Sequence, residues 1–181
     1  VIDIGGGTTD VAVLSMGDVV TSESIKVAGD MFDMSILQYV KKEYKLLIGE
    51  RTAEAIKITI GTVYPHSRDE VMDIRGRDNV TGLPRTVQIT SQEVQESLHE
   101  SIMTIVQSAK NVLEKTPPEL AGDIIDRGIM LTGGGALLHG LEGLLTEELR
   151  VPVFVAENPL DCVAIGTGIL LDNIDSIKRR R

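Results

Sequence analysis

Residues 1–10 read VIDIGGGTTD and combine a short apolar segment with three consecutive glycines. The apolar strand predicted at Val1–Ile4 leads directly into three glycines, and a second strand is predicted at Asp10–Ser15. Glycine lets a backbone approach a ligand closely, and successive N–H groups in such a turn form a concave anion site. Because a plain hairpin turn, the alternative, needs fewer glycines, we interpret Gly5–Thr8 as a phosphate-binding turn.

Asp3 stands at the end of the first strand, directly before this turn. Magnesium prefers carboxylate oxygens and usually keeps several waters, so Asp3 is well placed to hold a hydrated Mg²⁺. The turn is not a P-loop, because no Gly-Lys-Ser/Thr follows the glycines. It is not a Rossmann fingerprint either, because a strand follows where that motif requires a helix.

The composition excludes several classes of function. The 181 residues contain 18 Lys and Arg against 27 Asp and Glu, a net charge of −9, so no global positive field attracts nucleic acid or acidic lipid. Aromatic residues are only 3% and Trp is absent, which argues against base stacking. Cys162 is the single cysteine, and we expect a small buried residue in a reducing cytoplasm rather than a nucleophile.

A second glycine cluster, Gly133–Gly135, follows a predicted strand at Ile129–Thr132 and precedes a helix predicted at 136–149. A helix N-terminus favours a negative ligand, although close packing of a helix on a strand also uses glycine. Glu54 and Lys57 lie three residues apart on another predicted helix, so both project from one face. They are candidates for ribose and adenine contacts, with a surface salt bridge as the alternative.

The order of elements predicts an α/β domain. An antiparallel meander of three strands over 1–27 precedes two helices, for which Asp30 and Thr52 are the predicted caps. A hairpin follows, and the capping box from Thr90 to Glu93 opens a long helix. The strand, helix, strand, helix order at the end implies a parallel layer added to the meander. The less hydrophobic residues 31–90 are predicted to form an inserted small α+β lobe on this mixed sheet flanked by helices.

The two glycine motifs resemble those of a known superfamily. Asp3–Asp10 is similar to the second phosphate loop of the actin, chaperone ATPase and sugar kinase superfamily, and the residues LTGGGALL at 131–138 are similar to its adenosine motif. Within it, the chain resembles the bacterial actins of the MreB/Mbl family, which determine rod shape, over essentially all of its length. The segments that carry this closer resemblance are GDMFD (29–33), LIGERTAE (47–54), RGR (75–77), PPEL (117–120) and VAENP (155–159).

The resemblance implies an actin-like ATPase fold of the ribonuclease H type. Residues 1–30 and 91–181 would form subdomain IIA, and residues 31–90 subdomain IIB. We expect a piece of a longer protein, because the chain lacks an initiator Met and its first residues already look like a buried strand. Domain I, about half of the protein, would then be missing.

The resemblance also implies a site for ATP or ADP with Mg²⁺. By motif position, three residues of the turn would hold phosphate, one stretch would line the nucleoside and the second glycine cluster would lie under the adenosine side. Asp3 would hold Mg²⁺ through water, and no catalytic residue is expected here, since the residue that positions the attacking water would lie in domain I. The residues implied are Gly6, Gly7 and Thr8 for phosphate, Glu54, Ala55, Ile56 and Lys57 for the nucleoside, and Gly134, Gly135, Ala136 and Leu137 for adenosine.

The function implied is that of a filament-forming, slow ATPase that organises cell-wall synthesis under the membrane. Its partners would be further copies of itself, proteins of the cell-wall elongation machinery and, through the missing half, the membrane, but not nucleic acid. We expect a cytoplasmic protein whose filaments associate with the membrane, and a fragment that is inactive alone. The alternatives are a sugar kinase or the nucleotide domain of a chaperone ATPase.

Overall fold

Two β-sheets organise the chain in the computed structural model, which describes residues 1–172. The strands are β1 (Ile2–Ile4), β2 (Thr9–Ser15), β3 (Asp18–Ile25), β4 (Leu46–Leu47), β5 (Val71–Asp78), β6 (Pro84–Thr90), β7 (Ile129–Thr132) and β8 (Val153–Val155). The helices are α1 (Gly29–Tyr44), α2 (Glu50–Ile60), α3 (Ser91–Glu114), α4 (Pro118–Arg127), α5 (Leu141–Leu149) and α6 (Cys162–Asp172), with a 3₁₀ helix at Gly134–Leu137.

The larger sheet has the strand order β3-β2-β1-β7-β8. The first three strands form the predicted antiparallel meander, and β7 and β8 add the predicted parallel layer, with Asp3 opposite Thr132. The predicted α/β class with a mixed sheet flanked by helices is confirmed. Since β1 and β7 are parallel neighbours, their carboxyl ends lie side by side, and both glycine clusters begin at one edge of the sheet.

The smaller sheet has the order β4-β5-β6 and lies within the stretch predicted to be the inserted lobe. Its hairpin turn is shaped by Asp78, whose carboxylate accepts the N–H groups of Val80 at 2.8 Å and Thr81 at 2.9 Å and pairs with Arg85 at 2.6 Å. The division into subdomains at residues 30 and 91 stays a prediction.

Helix α3 forms the centre of the hydrophobic core. The predicted capping box is confirmed: Thr90 Oγ1 accepts the Glu93 N–H at 3.3 Å, and Glu93 Oε2 accepts the Thr90 N–H at 2.9 Å. Leucine, isoleucine and valine recur at helical spacing and bury one stripe of α3 against the sheet, α1 and α5. The buried apolar residues of this stripe are Val94, Leu98, Ile102, Ile105, Val106, Ala109 and Val112.

Two predicted helix caps are wrong. Helix α1 begins after Ala28 and α2 after Gly49, and neither cap residue has a side chain that could accept a hydrogen bond. Asp30 and Thr52 therefore lie inside the first turns. The first N–H groups of α1 are instead satisfied by backbone carbonyls: Gly29 donates to Gly5 at 3.0 Å, and Asp30 donates to Gly6 at 2.8 Å.

The helix predicted at 136–149 is broken in two. The chain leaves β7 through the 3₁₀ helix and starts α5 only at Leu141, after Gly140. Gly140 has a φ of +81° and is packed on Tyr64, where a Cβ would lie 2.6 Å from the Tyr64 Cβ. This left-handed conformation under a close neighbour suits only glycine, and it separates the two helical segments.

Helix α6 is apolar but exposed. Val163 and Leu170 are 61% and 60% exposed, and no residue of α6 is buried. The prediction that Cys162 is buried is wrong, because its thiol is half-exposed at the start of α6 and donates to the Asn158 carbonyl. Within residues 1–172, no helix combines the length and apolar character needed to cross a membrane.

Candidate functional site

A cleft with a volume of about 390 Å³ lies where the carboxyl ends of β1 and β7 meet the first turn of α1 and the second half of α2. A second cavity, of about 560 Å³, lies near the amino end of β1 and contains none of the predicted site residues. The first cleft is lined by Gly5, Gly6, Gly29, Asp30, Phe32, Asp33, Glu54, Lys57, Ile58, Arg68, Gly134, Gly135, Leu137, Leu138, His139 and Leu160.

The first glycine loop is held by its carbonyls and offers its N–H groups. Gly5 donates to the Thr8 carbonyl at 3.0 Å, which closes the turn, and the carbonyls of Gly5 and Gly6 accept from the start of α1. Within the described residues, the N–H groups of Gly6, Gly7 and Thr8 make no hydrogen bond. Adjacent unpaired N–H groups on an exposed turn match the donor set that a phosphate requires.

Asp3 lies half-buried just before this loop and outside the cleft lining. Its Oδ1 accepts a hydrogen bond of 2.9 Å from the Thr132 hydroxyl, while no described residue bonds to Oδ2. Within residues 1–172 no group of three or more His, Cys, Asp or Glu side chains is arranged to hold a metal ion. One carboxylate oxygen beside free N–H donors fits a hydrated Mg²⁺ that also contacts phosphate, since this ion keeps most of its waters.

The second glycine cluster combines packing with access to the cleft. A Cβ on Gly133 or Gly135 would overlap Ile4, so these two residues allow the turn to pack on β1. Gly134 is exposed and lines the cleft, and a Cβ built on it would meet only Leu160. The interpretation of this cluster as the N-terminus of a long helix is wrong, because a short 3₁₀ helix begins within it at Gly134 and the regular α-helix starts only at Leu141.

Lys57 and Glu54 both line the cleft from α2, as their spacing predicts. The alternative, a salt bridge between these two residues, is not what the structure contains. The Lys57 ammonium pairs instead with Asp33 Oδ1 on α1 at 2.8 Å, and both side chains are only 16% exposed. Burial raises the pKa of the Asp33 carboxyl against the opposing effect of Lys57, and the carboxylates of Glu54 and Asp30 add to the rise.

The other residues implied by the resemblance lie in different places. Ile56 is fully buried in the core, Ala136 is 3% exposed, and neither lines the cleft. Ala55 is half-buried outside the lining, whereas Leu137 is exposed and lines it. Gly7 and Thr8 stand on the loop beyond the cavity lining, where the Thr8 hydroxyl donates to Asp10 at 3.2 Å.

Sequence reasoning missed the charged residues contributed by α1 and by the loop after α2. Asp30 and Asp33 lie in a segment that carried the family resemblance, and their spacing on the first turn of a helix was the available signal. Arg68 lines the cleft with its guanidinium bonded to the Gly61 carbonyl at 3.2 Å and paired with Glu70 at 3.2 Å. The lining thus carries three carboxylates and two cations. Because this balance is negative, a phosphate ligand binds more favourably together with a divalent cation.

Comparison with known proteins gives a consistent result. The family described as MreB/Mbl protein matches residues 1–179. The cell shape-determining protein Mbl of Bacillus subtilis (strain 168) is 68% identical over 181 residues, which cover all of this chain and 54% of that protein. The chain therefore spans about half the length of the relatives it matches.

Solved structures agree with the sequence comparison. MreB5 of Spiroplasma citri bound to AMPPNP superposes with a TM-score of 0.93 at 42% identity, over 99% of this chain and 54% of that one. MamK, solved as a double helical filament, has a TM-score of 0.70 at 23% identity over 88% of this chain and 49% of that one. The MamK likeness shows the shared fold.

Proposed function

Because the chain belongs to the MreB/Mbl family, we propose that it forms the nucleotide-binding second domain of a filament-forming ATPase that determines cell shape. The observation that carries this proposal is the edge of the larger sheet, where a glycine loop with free N–H groups, a second glycine turn and a half-buried lysine surround one cleft. This arrangement suits a ligand with phosphate at one end and an apolar or hydroxyl-bearing group at the other.

Each part of the cleft has a separate task in this proposal. The N–H groups of Gly6, Gly7 and Thr8 bind phosphate oxygens, while Lys57 and Glu54 face the nucleoside. Asp3 holds the waters of Mg²⁺, which when bound would neutralise phosphate charge. The carbonyl bonds from the loop to α1 keep the turn in place, so its donors need no rearrangement before the ligand arrives.

The activity of the whole protein is part of the same proposal. ATP hydrolysis to ADP and phosphate would require groups from the rest of the protein, since phosphoryl transfer relies on positioning from both sides of the ligand. AMPPNP bound to the Spiroplasma MreB5 supports an adenine nucleotide as ligand. The filament of MamK shows that this fold is compatible with self-association. The proposal also includes contacts with cell-wall elongation proteins and with the membrane. It places the protein in the cytoplasm.

The two alternatives receive no support from the comparisons. A sugar kinase or a chaperone ATPase shares the superfamily motifs, but the family that matches nearly the whole chain is MreB/Mbl. The higher identity to the Bacillus Mbl than to the Spiroplasma MreB5, 68% against 42%, favours an Mbl-type member.

The experiment uses the full-length protein. We expect it to bind ADP and AMPPNP in a calorimetric titration, to release phosphate slowly from ATP only with Mg²⁺, and to pellet on ultracentrifugation after ATP is added. Nucleotide-independent pelleting, or phosphate transfer to a sugar without any polymer, would contradict the proposal. Electron microscopy of the pellet distinguishes ordered filaments from aggregates.

A further inference from the structure

The ion pair between Asp33 and Lys57 is the most enclosed contact between charged side chains in the cleft. It joins α1 to α2 across 2.8 Å, with each side chain 16% exposed. Asp33 Oδ1 is buried and accepts no hydrogen bond of regular angle within the described residues, so the Lys57 ammonium is its compensating charge. An ion pair taken out of water gains about what its desolvation costs, so its presence is weak evidence for a role in stability.

The position of the pair points to a role in the cleft. The Lys57 ammonium also lies 3.4 Å from the Gly29 carbonyl, at the first residue of α1. The same turn of α1 donates to the carbonyls of Gly5 and Gly6. Lys57 is therefore held on the α1 side of the cleft, beside the segment that fixes the glycine loop.

The position of the Lys57 ammonium depends on the carboxylates around it. The unbranched stem of lysine has many rotamers, and the ammonium group is a compact charge that follows the nearest carboxylate. Glu54, three residues earlier on α2, and Asp30, on α1, also line the cleft and compete for it. Without the Asp33 carboxylate, the ammonium would shift toward those groups or toward water.

We propose that Asp33 is a positioning residue, whose carboxylate holds the Lys57 ammonium where it meets a bound nucleotide. This inference rests on the proposed function, since it assigns a role within the nucleotide cleft. Asp33 acts through Lys57, so its contribution exists only while Lys57 is present. Because the proposal assigns Lys57 to the nucleoside, which ATP and ADP share, loss of the pair weakens both ligands alike and raises KM with little change in kcat.

The test is a double-mutant cycle in the full-length protein, with ADP and AMPPNP as probes in calorimetric titrations. Asp33→Asn keeps the shape of the side chain and removes its charge, and we expect it to weaken both ligands about tenfold, the usual scale for a hydrogen bond to a charged group. Lys57→Ala should weaken both ligands to a similar degree. In the Lys57→Ala background, Asp33→Asn should change affinity by less than about twofold, because coupled residues are not additive.

Two further variants separate positioning from stability. Asp33→Glu keeps the charge and should retain most of the affinity. Glu148→Gln breaks the comparable pair with Lys110, 2.9 Å long and between α5 and α3, and should leave affinity unchanged. Thermal melting without nucleotide is recorded for each variant.

The outcomes distinguish this inference from the proposed function. Failure of the wild-type protein to bind either probe would overturn both. Normal wild-type binding with an Asp33→Asn variant that binds equally well would overturn only the positioning role. Equal weakening by Asp33→Asn with and without Lys57 would show that Asp33 acts on its own, and an Asn variant that does not fold would show that the pair is structural, so either result overturns the proposal.

Discussion

The hydroxyl of Thr132 donates a 2.9 Å hydrogen bond to Oδ1 of Asp3, although the two residues are 129 positions apart in the sequence. They are register partners on the parallel strands β1 and β7, which places the bond at the edge where both glycine segments begin. The bond orients the Asp3 carboxylate and leaves its second oxygen available. A residue that looks isolated in the sequence is thus oriented by the other half of the site.

Replacing Asp3 tests the assignment of magnesium. In the full-length protein, Asp3→Ala should abolish Mg²⁺-dependent phosphate release, because no other carboxylate stands at the end of β1. The fold should survive, as judged by circular dichroism and the melting temperature. Asp126→Ala, which removes an exposed carboxylate on α4, is the control and should release phosphate normally. Normal release by the Asp3→Ala protein would show that the loop is wrongly assigned.

Adding a methyl group at Gly6 tests whether the glycine loop binds phosphate. A Cβ on Gly6 would lie 3.4 Å from the Asp30 carboxylate, which is ordinary contact, so Gly6→Ala should fold normally while crowding the loop that meets phosphate. We expect ADP affinity to fall at least about tenfold with no loss of melting temperature. Gly122→Ala on α4 has open space around it and should instead stabilise the protein, by up to about 1 kcal/mol, without affecting affinity. Equal ADP affinity of the two variants would contradict a phosphate-binding loop.

Two isoleucines on α2 allow the hydrophobic core and the cleft to be tested separately. Ile56 is fully buried and Ile58 is 69% exposed and lines the cleft. Ile56→Val should lower the free energy of unfolding by about 1 kcal/mol and leave ADP affinity unchanged, whereas Ile58→Val should change stability by less than about 0.5 kcal/mol. Chemical denaturation measures both. If Ile56→Val lowered ADP affinity more than Ile58→Val, Ile56 would have to be assigned to the nucleoside site after all.

The cap of α3 predicts a pH dependence of stability. Burial alone raises the pKa of Glu93, but hydrogen bonds from the Tyr44 hydroxyl, at 2.5 Å, and from Thr90 outweigh it and lower the pKa below its ordinary value of 4.5. A lowered pKa means that the folded state favours the ionised form, so this stabilisation is present above pH 4.5 and is lost as the pH falls through the folded pKa.

Glu93→Gln should therefore reduce stability most at neutral pH, and the difference from the wild-type protein should shrink in acid. Urea denaturation at a series of pH values measures it. Glu100→Gln, an exposed change on the same helix, is the control and should show a much smaller difference. A Glu93→Gln penalty that grows below pH 4 would mean that the sign of the pKa shift is wrong.

Much of the fold could be predicted because its signals are local. Apolar strands joined by short turns predicted the meander, apolar residues at helical spacing indicated the buried stripe of α3, and the capping box at Thr90 predicted where that helix begins. The wrong caps at Asp30 and Thr52 have a different origin, because the donors of α1 are satisfied by the loop at Gly5 and Gly6, which is a tertiary contact. The break at Gly140 also depends on a neighbour, Tyr64, that no local pattern reveals.

The candidate site divides in the same way. The glycine loop and the face of α2 with Lys57 follow from motif and spacing, and both border the cleft. The partner of Lys57 could not be predicted, because Asp33 approaches from a separate helix. Ile56 shows why a role cannot be assigned from motif position alone. It lies between Glu54 and Lys57 in the motif, but its side chain is buried in the core.

The bonds from the first turn of α1 to the carbonyls of Gly5 and Gly6 tie that helix directly to the loop. With 16 residues, α1 is about 24 Å long, and its far end lies beside β4 of the smaller sheet. If α1 moved as a rigid body about its first turn, a tilt of about 5° would displace that end by about 2 Å, so a small adjustment of the glycine loop would become a larger one at the smaller sheet. A displacement of the smaller sheet would reach the glycine loop along the same helix.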